Sequence, residues 1–328
     1  MKTRALADIL TLVADDLRSL EDVIQLEAAA ADPLMQGLVH HVSQNRGKRL
    51  RAALVFLCGR AGGMLQAEHM RLACAAELLH NATLVHDDIL DHAATRRGAP
   101  AVNAKWGSEI AVIFGDYLFS AAFSLIMEFP ETRIGRQLAI STRAMVEGEM
   151  LQLQDRFQKA IPSTASYLRM IELKTASLMS ACTGLAGFLS DRSADDEAWA
   201  RFGHEFGMAF QIVDDCLDLM GHEGTMGKSL GTDLTTGKAT LPFLKMLELS
   251  ESAGRAELLR RFWEPDDDPT RKRTGFVRLP VAKPAFEASW AQAASHIAAA
   301  KEALLRQRPS PFRDALEGLT DHLLIRQR

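Results

Sequence analysis

Eleven prolines divide the 328-residue chain unevenly, and that division decides what it can fold into. They stand at 33, 100, 130, 162, 242, 265, 269, 280, 284, 309 and 311, so residues 34–99 and 163–241 contain none of the strongest helix breaker. Ala- and Leu-rich segments such as AEHMRLACAAELL and ASWAQAASHIAAAKEALLR repeat apolar residues at helical spacing. β-Branched alternation bounded by turn residues is scarce. The sequence predicts an all-α protein, one domain over residues 1–328, with an irregular connection rather than a helix pair in the proline-rich stretch 263–284.

With 47% hydrophobic residues the chain can bury a large core. A formal net charge of −4, from 38 basic and 42 acidic residues, points away from nucleic acid and anionic membrane surfaces as partners. Cys58, Cys74, Cys182 and Cys216 lack close spacing, which argues against a disulfide framework or a zinc site and for reduced core thiols. Asp8, Asp15 and Asp16 interrupt the N-terminal apolar residues, and no uncharged apolar run reaches membrane-spanning length. A cytoplasmic protein is expected.

Charge is informative locally. Residues 84–98 read LVHDDILDHAATRRG. On a helix, Leu78, Ala82, Val85 and Ile89 share an apolar stripe, while His80, Leu84, Asp87 and Asp91 share another, with Asp88 beside them. Like charges one turn apart repel unless a cation or basic side chains lie between them. A solvated helix end is the alternative for a single D-D-x-x-D, but a second triplet, Asp214, Asp215 and Asp218, stands in QIVDDCLD at 211–218. Paired triplets suit a hard divalent cation that takes oxygen ligands, and Mg²⁺ held by few carboxylates usually has phosphate among its other ligands. Histidine and cysteine are nearly absent from these stripes, which disfavours zinc, iron and copper.

Basic residues supply a lining for phosphate. RGKRLR at 46–51 places Lys48, Arg49 and Arg51 at a helix start, Arg96 and Arg97 follow the first acidic triplet, and Lys228 and Lys238 lie in the Gly- and Thr-rich MGKSLGTDLTTGKATLP at 226–242. Any one of these clusters alone is more readily a solvated surface.

Their order and combination resemble the trans-isoprenyl diphosphate synthases, or polyprenyl synthetases. The resemblance runs along nearly the whole chain: GKRLR at 47–51, HNATLVHDDILDHAATRRGAPAVN at 80–103, GDYL at 115–118, GEMLQL at 148–153, KTASL at 174–178, QIVDDCLD at 211–218, GKSLGTDLTTGKATLP at 227–242 and PSPFRDAL at 309–316. It implies a homodimer with the isoprenoid synthase fold, a large helical bundle around a deep central cavity. It also implies Mg²⁺, with Mn²⁺ a possible substitute, on Asp87, Asp91 and Asp214, with Asp88, Asp215 and Asp218 as supporting carboxylates. The substrates it implies are isopentenyl diphosphate and an allylic diphosphate primer, whose ionisation to an allylic cation precedes attack by the isopentenyl double bond. The released diphosphate takes the proton lost afterwards. By the same resemblance, Arg96, Lys174, Lys228 and Lys238 contact the allylic diphosphate, Lys48, Arg51, His80 and Arg97 hold isopentenyl diphosphate, and Thr175 and Gln211 steady the cation. Read from its own sequence context, His80 is a satisfied helix histidine before it is a ligand, and Asp215 is equally a supporting or surface acid.

The family usually has glycine where this chain has Arg46, and often proline where it has Ala52. In the family, side chains about one turn before the first acidic triplet set product length. Here these are Ala82 and Thr83, both small, and only Ile89 and Leu90 separate Asp88 from Asp91. No bulky stop or inserted pair is present, so the stripe Leu78, Ala82, Val85 reads as one wall of a tunnel, with Phe114, Phe119, Phe123 and Met145 as candidates for its floor. The expected product is an all-trans polyprenyl diphosphate of about six to ten isoprene units for delivery to a membrane, each buried methylene adding roughly 0.8 kcal/mol. Geranylgeranyl or farnesyl diphosphate synthesis, a terpene cyclase and a non-catalytic subunit of a heteromeric synthase are the alternatives.

Overall fold

The computed structural model describes residues 6–28, 32–45, 47–191, 196–221, 230–266 and 268–325. The described chain is helical nearly throughout, as expected: α1 (Leu6–Thr11), α2 (Ala14–Glu27), α3 (Pro33–Gln44), α4 (Leu50–Gly62), α5 (Ala67–Leu90), α6 (Val102–Trp106), α7 (Ser108–Met127), α8 (Thr132–Gln158), α9 (Thr164–Ile171), α10 (Ser177–Ser190), α11 (Asp196–Met220), α12 (Thr232–Thr235), α13 (Leu241–Glu248), α14 (Ser252–Trp263), α15 (Pro269–Val277), α16 (Ala282–Leu305) and α17 (Pro311–Ile325). A π-helical turn, Glu172–Ala176, joins α9 to α10. The sheet seen among the described residues is an antiparallel pair, β1 (Thr95–Arg96) and β2 (Ala99–Pro100), with Thr95 opposite Pro100 and Arg96 opposite Ala99.

Several prolines open helices. Pro33 starts α3 behind Asp32, whose carboxylate accepts from Leu34 N at 2.9 Å and Met35 N at 3.3 Å. A first-turn proline loses no intrahelical bond, because the N–H it lacks would have had no partner there. Pro269 starts α15 in the same way, capped by Asp268, which accepts from Arg271 N at 3.1 Å. The expectation of an irregular connection over 263–284 is therefore corrected: the stretch contains a nine-residue helix and the first turn of another.

The chain divides into two compact units. The first comprises residues 1–142, 178–203 and 303–319. Here α5 packs along α4, α2 and α7, and α4 is buried all round from Ala52 to Gly59. Arg49, in the left-handed region at φ 48°, caps α4 and reaches back to Glu21 Oε1 at 2.9 Å and Glu77 Oε2 at 3.2 Å. Removing one partner of such a buried set typically costs about 3–5 kcal/mol. By length and composition α7 could cross a membrane. It nevertheless carries Glu109 and Asp116, and packs closely against α5 with Ala111, Phe114, Gly115, Leu118 and Ala122 buried.

The second unit comprises residues 143–177, 204–302 and 320–328. Its core includes Leu219, Leu234, Phe243, Phe262 and Phe276. The Phe243 and Phe262 rings stack at 4.3 Å, and Phe276 meets Phe243 edge-on at 5.8 Å. The four cysteines are buried and free, as expected of core thiols.

Candidate active site

In the first unit, the last turn of α5 carries Asp87 and Asp88, and Asp91 caps it, its N–H donating to Asp87 O at 2.8 Å. Asp87 and Asp91 are half-buried. Asp88 is buried and faces Arg96, whose Nε donates to Asp88 Oδ1 at 2.9 Å. Burial raises the Asp88 pKa above the ordinary carboxylate value although Arg96 pulls the other way. Arg97 at φ 53° and Gly98 at φ 80° form the two-residue turn between β1 and β2. That positive φ for a non-glycine residue is sparsely populated and costs of order 1–3 kcal/mol. The turn aims Arg97 back toward the C-terminal end of α3, where its Nη1 donates to Asn45 O at 3.2 Å. Asn103 Nδ2 braces this connection, donating to Asp88 O at 3.2 Å and Ala93 O at 3.1 Å.

Arg51 and His80 complete a basic group in this unit. Arg51 Nε is buried without a hydrogen-bond partner. Burial, then the charges of Arg51, Arg97, Arg96 and Arg49, push the His80 pKa well below its ordinary value, so its imidazole is neutral. Guanidinium groups remain charged at any ordinary pH. With Arg49 already paired to Glu21 and Glu77 and Arg96 to Asp88, the arrangement presents Arg51, Arg97 and a neutral imidazole to an anion. Lys48 is exposed beside it.

In the second unit the sites are built on the π turn and α11. Gly148 lets α8 approach the turn closely: a Cβ there would lie 2.7 Å from Lys174 N. Glu149 pairs with Lys174, and Gln152 Oε1 accepts from Lys174 Nζ at 3.1 Å. Thr175 Oγ1 donates to Gln211 Oε1 at 2.8 Å, and Gln211 Nε2 donates to Asp215 Oδ1 at 2.8 Å. The Tyr167 hydroxyl donates to Asp215 Oδ2 at 2.6 Å. Burial holds the Asp215 pKa up at about 6 against those two hydrogen bonds, with Asp214 and Asp218 adding like charge. Asp214 is half-buried one turn along α11 from Gln211. Asp218 is buried and also caps α12, accepting from Thr232 Oγ1 at 3.1 Å and Asp233 N at 3.2 Å. Lys238 follows, its backbone N–H bound to Asp233 O at 2.8 Å. Lys228 lies outside the described residues.

The product-length positions are less open than the sequence suggested. Ala82 is fully buried and Thr83 half-buried, its hydroxyl donating to His80 O at 2.8 Å. Leu78 lines the smaller of two pockets of the first unit and Val85 the larger, and Ala82 lines neither. Phe114 is buried against the smaller one, Phe119 packs on His86, Phe123 is exposed, and Met145 is buried in the second unit.

Residues 32–274 match the polyprenyl synthetase family. The chain belongs to that family. It is 37% identical over 257 residues to the all-trans-nonaprenyl-diphosphate synthase (geranyl-diphosphate specific) of Rhodobacter capsulatus, covering 77% of this chain and 78% of that one. It is 38% identical over 253 residues to heptaprenyl diphosphate synthase component 2 of Geobacillus stearothermophilus, covering 75% and 76%. Among solved structures it resembles a polyprenyl synthase from Caulobacter crescentus CB15 complexed with calcium and isoprenyl diphosphate, with TM-score 0.89 and 32% identity over the full length of both chains. This family member is a prenyltransferase of isoprenoid biosynthesis with the all-α isoprenoid synthase fold.

Prenyl diphosphate synthases use divalent metal ions, and the donors here suit them. Each acidic motif offers hard oxygen ligands, and the crowding of Asp214, Asp215 and Asp218 is the kind of negative charge a cation relieves. Among the described residues no three His, Cys, Asp or Glu side chains form a ready-made metal cage. Sequence reading gave no role to Tyr167, Glu149 or Gln152, which hold Asp215 and Lys174. Glu149 and Gln152 were signalled by their i,i+3 spacing inside GEMLQL; Tyr167 left only its rarity, as one of two tyrosines in the chain.

Proposed function

We propose that this prenyltransferase condenses isopentenyl diphosphate head-to-tail with an allylic diphosphate and releases an all-trans polyprenyl diphosphate of about six to ten isoprene units. The observation that carries the substrate assignment is the basic group of the first unit, where a buried Arg51 Nε lacks a partner and a neutral His80 lies among arginines. Such a group is stabilised by a multiply charged anion. Lys48, Arg51, His80 and Arg97 hold isopentenyl diphosphate, and Arg96, Lys174, Lys228 and Lys238 bind the allylic diphosphate. Thr175 and Gln211 present oxygens to the developing allylic cation. Asp87, Asp91 and Asp214 would hold Mg²⁺, or Mn²⁺ in its place, which would supply positive charge to a departing diphosphate. Asp88, Asp215 and Asp218 support those ligands.

Small residues at 82 and 83, and relatives named for seven- and nine-unit products, support the long product. The family match takes in parts of both compact units, which supports a single functional domain over 1–328. Homodimer formation is supported by exposed Val112, Ile113, Phe123 and Met127 on α7. The four buried free thiols fit a reducing cytoplasm. The test is turnover by the purified chain alone with isopentenyl diphosphate, an allylic primer and Mg²⁺. Elongated products after dephosphorylation are expected; a chain active only with an added second protein is instead one part of a heteromeric synthase.

A further inference from the structure

The stretch 263–284 matched no motif in the sequence, yet α15 turns two cations inward. Lys272 is buried, and its ammonium donates to Phe262 O at 2.8 Å and Glu264 O at 3.0 Å, closing the C-terminal end of α14. Arg273 does the same for α11: Nε donates to Leu219 O at 2.7 Å, and Nη2 donates to Gly221 O. The last carbonyls of a helix have no intrahelical donors, and a guanidinium fork satisfies two at once while placing positive charge at the favourable end of the helix dipole.

What Arg273 holds is the turn that bears Asp218. The Asp218 carbonyl accepts from Gly231 N at 2.9 Å, and its carboxylate caps α12. Asp233, within α12, accepts the Lys238 N–H. Gly231 also lies against α15, because a Cβ there would come 2.6 Å from Pro269 O and 2.7 Å from Arg273 Cβ. Gly231 adopts φ 81°, where an L side chain is strained. Arg273 thus touches the chain at both Gly221 and Gly231.

We infer that Arg273 is a positioning residue for the allylic diphosphate and metal site, acting through the last turn of α11 on Asp218 and through Asp233 on Lys238. The inference rests on the reading above that Asp214, Asp218 and Lys238 serve that site. Its fork fixes the direction in which α11 ends, and the Asp218 cap passes this to α12.

The test compares Arg273→Met, which keeps the length of the side chain and removes the fork, with Arg273→Lys, which keeps the charge. In Arg273→Met, hydrogen exchange should quicken at residues 217–221 and 230–238, with the rest of the core unchanged. The Michaelis constant for the allylic primer and the half-saturating Mg²⁺ concentration should rise about tenfold or more, as for other residues that orient metal ligands. The Michaelis constant for isopentenyl diphosphate should stay at the wild-type value, and Arg273→Lys should recover part of the loss. Faster exchange with unchanged primer and Mg²⁺ dependence would overturn the inference, as would an equal loss for both substrates. If Arg273→Met does not fold, Gly231→Ala strains the same contact from the other side; the same pattern supports the inference, and wild-type kinetics overturn it. A wild-type chain that turns over no primer defeats the reading of the site instead. The exchange comparison needs no substrate and still decides whether Arg273 holds the turn.

Discussion

Thr175 donates to Gln211 Oε1 at 2.8 Å, which fixes the amide so that its nitrogen faces Asp215. The π turn and α11 are thereby joined by one directional relay. Thr175→Val removes the donor and frees the Gln211 amide to turn its nitrogen toward the site. On the proposal that Thr175 and Gln211 present oxygens to the allylic cation, this misplacement should lower kcat by about tenfold to a hundredfold. Thr175→Ser should retain activity, and the Michaelis constant for isopentenyl diphosphate should not move. Steady-state kinetics in which Val and Thr are equivalent would remove Thr175 from the mechanism.

Oxygen-only donors on α5 and α11 predict an absolute requirement for Mg²⁺ or Mn²⁺. Asp87→Ala and Asp214→Ala should each lower the rate by about a thousandfold or more while the thermal unfolding midpoint stays near wild type. Full activity in excess chelator would refute the requirement.

The basic groups lie on separate elements, so their losses should separate kinetically. Arg97→Ala and Lys48→Ala should mainly raise the Michaelis constant for isopentenyl diphosphate, while Lys228→Ala and Lys238→Ala impair use of the allylic primer. Gly47→Ala should reproduce a mild form of Arg97→Ala, since its Cβ would fall 2.6 Å from the Arg97 guanidinium. The reverse pattern in initial-rate measurements would mean that the two diphosphate sites are exchanged.

Residues that lie close in sequence were legible in these sites, and contacts across helices were not. The two aspartate triplets and GKRLR are visible because their members share one helix face or one helix start. Tyr167 and Asp215 are 48 residues apart, and no local pattern announces their bond. The π turn at 172–176 is equally silent, since ELKTA would suit an α-helix as well. In the fold, proline worked as a helix signal twice over, by absence from 163–241 and by position at 269. The second is the less legible, because a proline-rich stretch such as 263–284 reads as an irregular connection unless Asp268 and Pro269 are recognised together as a helix start.

The π turn is also tied to a histidine cluster. His204 Nδ1 lies 3.4 Å from Glu205 Oε1 and Nε2 lies 3.7 Å from Glu172 Oε1, while His296 Nδ1 meets Glu205 Oε2 at 2.7 Å and Arg169 binds Glu172. Glu205 first, then Glu172, raise the His204 pKa above 6.5, and the two histidines draw Glu205 down to about 2 against its burial. A raised histidine contributes stability that is complete below its unfolded pKa and is lost as pH climbs through the folded value. The unfolding midpoint should therefore fall as pH rises from about 6.5, and Glu205→Gln should flatten that slope. Glu205 adds the opposite limb: its contribution is present above 4.5 and is lost as pH falls toward 2. Thermal melts of wild type and Glu205→Gln across this range check both limbs; identical slopes above pH 6.5 would exclude His204 as the source.

Product length should respond to the residues one turn before Asp87, and the structure separates the two candidates. Ala82 is fully buried, so a phenylalanine there must either enter the space used by the growing chain or overpack the core at about 1–3 kcal/mol. Thr83 is half-buried, with its hydroxyl bound to the helix carbonyl of His80, so Thr83→Phe gives up one local bond and can place its ring with less strain. A tail that runs past this turn meets a ring at either position, and interiors packed to crystal density leave no room for both. Chromatography of dephosphorylated products should show both variants stopping at roughly three or four isoprene units, because the ring occupies the space that further growth needs. Melting curves distinguish the routes: Ala82→Phe should melt earlier than wild type and Thr83→Phe close to it. If Thr83→Phe is stable and its product is as long as that of wild type, the tail leaves the metal site in another direction, and the small residues at 82 and 83 serve packing alone.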